Sequence, residues 1–173
     1  MNMLVNLADL LAAPGREKPF SFEADAAALD VVSPDCSFEG PVRMEGRLLN
    51  TGAGIRAEGT VQAVKHFICN RCLKACTEEQ SHPFAEEFHQ GREDESDSSF
   101  YEGDTLDLLP FLRDVLVASQ PIQNLCKPDC KGLCPVCGHD LNEGDCGCDR
   151  FVPDPRLAAL QQLWKKDERK GDN

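Results

Sequence analysis

The chain lacks most of what an enzyme or a membrane protein would need. No stretch approaches 18 uninterrupted apolar residues, so no helix is expected to span a membrane. The first residues, MNMLVNLADLLAAPG, carry Asp9 and no early Lys or Arg, and so lack the basic start of a secretory signal. A cytoplasmic location is the expectation. His66, His82, His89 and His139 have no Ser/Asp company that would make a nucleophile–base set, and no Gly-rich phosphate loop is present. The paired acids Glu86-Glu87 and Glu93-Asp94-Glu95 read as solvated surface rather than as a general acid/base pair. No enzymatic activity is expected. Internal repeats are absent, and aromatics are few, with one Trp and one Tyr. Positive charge is also short: 18 Lys and Arg stand against 30 Asp and Glu, a net charge of −12 that argues against a general nucleic-acid coat.

What the chain has is cysteine, ten in 173 residues. Cytosolic thiols stay reduced, so clustered cysteines read as metal ligands rather than as a disulfide framework. Six fall in one run, at Cys126, Cys130, Cys134, Cys137, Cys146 and Cys148. Cys134-Pro-Val-Cys137-Gly138 is its strongest element, because a Cys-x-x-Cys turn aims two thiolates at one ion and Gly138 permits the positive φ the turn needs. Zn2+ in a structural role takes four such ligands in a tetrahedron. Six candidates for four places leave the quartet open: Cys134 and Cys137 are the favoured pair, with two of Cys126, Cys130, Cys146 and Cys148, and His139 as an outside candidate. The spacing Cys130-x3-Cys134-x2-Cys137 also matches an iron–sulfur motif, but the chain is too short for the large barrel that carries it.

A second cluster, Cys69-Asn-Arg-Cys72 with Cys76, supplies half a metal site. It can share a metal with the later cysteines, remain a reduced pair, or act in redox chemistry. Cys36 reads as a packed core residue. Lys127, Lys131 and Arg150 lie close enough in sequence to soften the −2 charge of a four-thiolate zinc site.

Periodicity gives an α+β fold: an antiparallel β-sheet or partly open barrel with a packed helix, and a C-terminal zinc-stabilised module. Apolar residues at 4, 7, 10 and 11 suggest a short helix. Phe20 and Phe22 suggest a strand. Residues 36–49 and 55–68 alternate around the turn NTGAG, a long hairpin interrupted at Gly40-Pro41 that delivers Cys69 at its far end. A third strand covers 77–88, an acidic loop lies near 89–104, and 105–119 is predicted as a helix capped by Thr105 or Asp107. A last helix begins at Pro155. The expected division is 1–122 for the β-rich core and 123–167 for the cysteine module with its helix. Within the acidic first part lies a basic island, Arg43, Arg47, Arg56, Lys65, Arg71 and Lys74 against Glu45 and Glu58, a net +4. These six are candidate contacts for RNA phosphates.

The order Cys69-Asn-Arg-Cys72-Leu, an acidic stretch, a Leu-rich helix, Cys130-Lys-Gly-Leu-Cys-Pro-Val-Cys137-Gly-His-Asp-Leu-Asn, Cys146-Gly-Cys148 and Asp154-Pro-Arg156-Leu-Ala-Ala-Leu resembles the YceD family over about residues 1–165. That family is named for large ribosomal RNA subunit accumulation. The resemblance implies a small cytosolic β-rich protein, without an assigned reaction, that supports synthesis, processing or stability of large-subunit (23S) ribosomal RNA. Its partners would be ribosomal RNA or a pre-ribosomal particle. Some members lack most of the C-terminal cysteines and keep the C-x-R-C pair, which makes the metal module structural. Two other readings stand beside it: a protein-interaction module whose acidic 86–104 loop engages a basic ribosomal protein, and a zinc-thiolate redox sensor.

Overall fold

The computed structural model describes residues 3–29, 31, 36–91, 99–150 and 156. By its contacts the chain divides into two compact units, Met1–Pro128 and Asp129–Asn173. The helix expected from Pro155 falls outside the described residues, as does the middle of the acidic loop.

In the first unit the elements run β1 (Leu4–Asn6), α1 (Ala8–Leu11), β2 (Glu17–Asp25), α2 (Ala26–Leu29), β3 (Cys36–Asn50), β4 (Ile55–Ile68), β5 (Ala75–Gln90), β6 (Ser99–Tyr101), β7 (Thr105–Asp107) and α3 (Leu109–Ala118). The main sheet is open, in the order β2-β3-β4-β5-β6, and all its pairs are antiparallel except β5–β6. A second small sheet pairs β1 with β7.

The β3–β4 hairpin forms as its alternation demands. Val42, Met44 and Leu48 from β3 and Ile55, Ala57, Val61 and Ala63 from β4 point to one face and are buried, while the residues between them face outward. The register slips between Glu39 and Arg43, where Gly40 takes a φ of 74° and Pro41 has no N–H to give the ladder. Next to the slip-free part of the ladder, Gly46 faces Gly59 at van der Waals contact: a Cβ on Gly46 would stand 3.0 Å from the Gly59 Cα and 3.0 Å from the Phe20 ring.

One face of the sheet is covered by α3, which buries Leu112 and Leu116. Phe111 turns its edge to Phe84 and Phe88, each ring centre 5.4 Å away. This helix is shorter than the predicted 105–119. Thr105–Asp107 forms β7 instead, because Leu4–Asn6 offers it a partner about a hundred residues away in sequence. Asp107 still serves the helix start, since its Oδ1 accepts the N–H of Leu109 (3.0 Å). The expected N-terminal helix is likewise part strand: apolar spacing at 4, 7, 10 and 11 fits both a helix and this strand–helix pair. The expected acidic loop is also narrower than 89–104, since β5 runs on to Gln90 and Ser99–Tyr101 adds β6.

Candidate metal centres

Two sets of four cysteines come together. The sulfurs of Cys69, Cys72, Cys126 and Cys130 all lie within 4.8 Å of one another, and so do those of Cys134, Cys137, Cys146 and Cys148. None of the ten cysteines forms a disulfide. Cys72 and Cys126 stand 3.6 Å apart, far beyond a disulfide bond of about 2.05 Å. A tetrahedral zinc with bonds of about 2.3 Å separates its sulfurs by roughly 3.8 Å. Both donor sets therefore fit one metal ion each.

The first set is built at the far end of the sheet. β4 ends at Ile68, and the chain turns through 69–74 before β5. The N–H of Cys69 donates to the Lys74 carbonyl and the N–H of Leu73 to the Cys69 carbonyl, both at 2.9 Å. This closes the knuckle, and it forces Leu73 to a left-handed φ of 58°. The segment after α3 is stitched alongside: the N–H of Asn70 donates to the Asn124 carbonyl (2.8 Å), and the N–H of Asn124 to the Asn70 side-chain oxygen (2.7 Å). Two residues on, Cys126 reaches the pair. Cys69, Cys72 and Cys130 are buried and Cys126 is exposed. Burial raises the Cys69 thiol, but the backbone N–H groups of Cys72, Cys126 and Arg71, with the Cys72 side chain, outweigh it and lower the pKa to about 6.

The second set is local. The N–H of Cys134 donates to the His139 carbonyl (2.8 Å) and that of Gly138 to the Cys134 carbonyl (2.9 Å), with Gly138 at a φ of 75° as the spacing predicts. A bridge between Leu133 and Asp140 and the bond from Leu141 N–H to the Gly132 carbonyl close the turn. Backbone amides of Cys137 and Val136 hold the Cys134 thiol down at about 6 despite its burial, while Cys148, which donates to the sulfurs of Cys137 and Cys146, is pushed up to about 12. Each set thus presents a sulfur disposed to be thiolate near neutral pH, the form that binds metal. The His139 ring belongs to neither set. Arg150 is 3.3 Å from Asp145. Cys36 and Cys76 lie outside both sets, facing Phe67 across β4 from either side.

The six basic candidates separate. Arg43, Arg47 and Arg56 share the outer face of the sheet, each beside a carboxylate: Arg43 Nε is 2.8 Å from Glu23, Arg47 Nε 2.7 Å from Glu58, and Arg56 Nε 3.6 Å from Glu58. Lys65 shares their odd numbering with Arg43 and Arg47 but not their face. Across this antiparallel pair an odd residue of β3 stands opposite an even residue of β4, as Arg43 does to Gln62 and Arg47 to Glu58. Lys65 therefore points inward and is 1% exposed. Its ammonium donates to Asn124 Oδ1 (2.6 Å) and lies 5.1 Å from the centre of the Phe67 ring. Arg71 and Lys74 sit exposed on the knuckle. Sequence reasoning leaves Asn124 out of the site; a lone Asn before a cysteine carries no signal of its own.

Among known proteins, the chain is similar to uncharacterized proteins of Mycobacterium tuberculosis and Mycobacterium bovis, 32% identical over 125 residues that cover 68% of this chain. It spans 59% of the length of those relatives. It is also similar to the uncharacterized protein YlbN of Bacillus subtilis, 28% identical over 163 residues, covering 86% of this chain and 91% of the other. No solved structure gives a significant match. The family described as large ribosomal RNA subunit accumulation protein YceD matches residues 57–164, a span that begins in β4 and takes in both cysteine sets, and the chain belongs to that family.

Proposed function

We propose that this protein is a cytoplasmic, non-enzymatic factor that supports large-subunit ribosomal RNA synthesis, processing or stability by binding that RNA or a pre-ribosomal particle, and that it holds one structural zinc in each cysteine set. Membership in a family named for large-subunit RNA accumulation carries the reading. The site geometry supports its non-enzymatic part. Four sulfurs per set fill the tetrahedron of a zinc ion, and a closed tetrahedron leaves no position for a substrate or an activated water. Among the ions a thiolate set selects, colourless zinc also fits without any redox partner.

Purification of the native protein from cells, with sequencing of the RNA and mass spectrometry of the proteins that accompany it, tests the reading. Large-subunit ribosomal RNA should be enriched over small-subunit RNA. Recovery of neither ribosomal RNA nor ribosomal proteins would sink it.

A further inference from the structure

We propose that Lys65 is the buried counter-charge of the first cysteine set: its ammonium offsets the negative charge that Cys69, Cys72, Cys126 and Cys130 carry when they hold a metal, and so sets how tightly they hold it. The proposal rests on the reading given under Proposed function, in which each set takes one zinc, and assigns to that site a residue that is not a ligand.

The first observation is a buried charge with neutral neighbours. Among the described residues Lys65 is the one buried Lys, Arg, Asp or Glu. Its ammonium contacts Asn124 Oδ1 and the Phe67 ring, and both are neutral. Among the described residues no carboxylate makes an ion pair with it. Glu78 stands directly across the β4–β5 ladder, but it is exposed and its Oε2 accepts from the Gln80 amide (3.1 Å). An ammonium taken out of water is costly unless an opposite charge offsets it. An amide oxygen and a ring supply contacts and leave the net charge in place.

The second observation is where the ammonium lies. β4 alternates, so Lys65 and Phe67 share its inner face, and Cys69 is the next residue in that phase. The ammonium leans along the strand onto the Phe67 ring, two residues before Cys69. Its hydrogen bond goes to Asn124, two residues before Cys126. Asn124 in turn clasps Asn70, which lies between Cys69 and Cys72. Four thiolates around Zn2+ leave a net charge of about −2. Cys69, Cys72 and Cys130 are buried, so water screens that charge poorly on their side. Arg71, Lys74 and Lys127 are near in sequence but exposed, where solvent weakens their effect. The buried ammonium and the buried thiolates each lower the cost of burying the other.

The experiment titrates zinc, in competition with a coloured chelator, into the full chain carrying Cys137→Ser, so that the ion measured is the one in the first set. Lys65→Met should weaken zinc there by on the order of tenfold or more. Urea unfolding of the same chain without metal should find it no less stable than its parent, since methionine fills the space of the lysine without a charge. Asn124→Asp should weaken zinc similarly: it keeps an oxygen for Lys65 but gives the ammonium a carboxylate of its own. Glu78→Gln should stay within about twofold of its parent. So should Lys65→Met in a chain carrying Cys72→Ser, where the second set is the one measured. Unchanged zinc affinity in Lys65→Met would overturn the proposal and leave the zinc reading standing. A loss that is absent from Asn124→Asp, or that comes with a less stable metal-free chain, would make Lys65 a packing residue and overturn it too. A large shift in Glu78→Gln would name Glu78 as the counter-ion instead. A first set that takes no zinc even with Lys65 in place overturns both the proposal and the reading beneath it.

Discussion

The ammonium of Lys65 lies 2.6 Å from the side-chain oxygen of Asn124, and both residues are buried at the foot of the first cysteine set. Asn124 thereby does three things: it accepts from Lys65, it clasps Asn70 through two backbone bonds, and it delivers Cys126 two residues later. Removing the acceptor leaves a buried charged group with the Phe67 ring beside it but without the oxygen of Asn124. Asn124→Ala is expected to cost about 3 kcal/mol of stability, read by urea unfolding at neutral pH. In the Lys65→Met background the same substitution should cost much less, because no charge remains to strand. Equal costs in both backgrounds would show that the bond matters little.

Metal content follows from the grouping of the thiols. Elemental analysis of the native chain should find about two zinc ions. Cys72→Ser and Cys137→Ser should each remove about one of them, and each should leave the other set loaded. A chain that carries a single zinc, insensitive to Cys72→Ser, would contradict the pairing of Cys69 and Cys72 with Cys126 and Cys130.

The Arg47–Glu58 pair gives a pH effect with a definite sign. The hydrogen bond from Arg47, then its charge, lowers the Glu58 carboxyl below its ordinary value of 4.5. A carboxyl whose folded value lies below its unfolded one contributes stability above the unfolded value and loses it as pH falls through the folded value. NMR titration should place Glu58 below the other exposed glutamates, and Arg47→Ala should return it toward 4.5. The stability change itself should be small, because the pair is solvated and screened.

Gly59 permits the close crossing of β3 and β4. A Cβ there would press on the Glu45 carbonyl and stand 2.7 Å from the Gly46 Cα. Backbone atoms on both sides leave no flexible group to yield. Gly59→Ala should cost on the order of 2–3 kcal/mol or more, measured by thermal unfolding, while Gly54→Ala is eased only in part by its neighbour, the His89 ring.

The residues that a short window explains were legible in the sequence. The alternation of Val42, Met44 and Leu48 against Arg43, Glu45 and Arg47 fixes an amphipathic strand, and Cys134-x-x-Cys137-Gly fixes a knuckle. The bulge at Gly40-Pro41 followed from the chemistry of those two residues. What escaped depends on partners far along the chain. Residues 4–6 are strand because of 105–107. Lys65 faces inward because of the register between β3 and β4, which numbering within one strand does not reveal. The apportioning of eight thiols into two sets also needed the fold, since Cys126 and Cys130 lie nearer in sequence to Cys134 than to Cys69.

The two cysteine sets differ in how the chain must come together to make them. Cys137 and Cys146 are nine residues apart, whereas Cys72 and Cys126 are separated by 54. Closing the longer loop costs on the order of 1–2 kcal/mol more in chain entropy. During synthesis the first pair of thiols also leaves the ribosome several seconds before its partners, at roughly 5–20 residues per second. The early pair must wait, with β4 and β5 already present and the knuckle half-made, until α3 and the segment behind it bring Cys126 and Cys130. Those two are still made before Cys146 and Cys148. Order of completion is thus written into the spacing: the set with the longer loop is the first to have all four of its thiols, 18 residues ahead of the other.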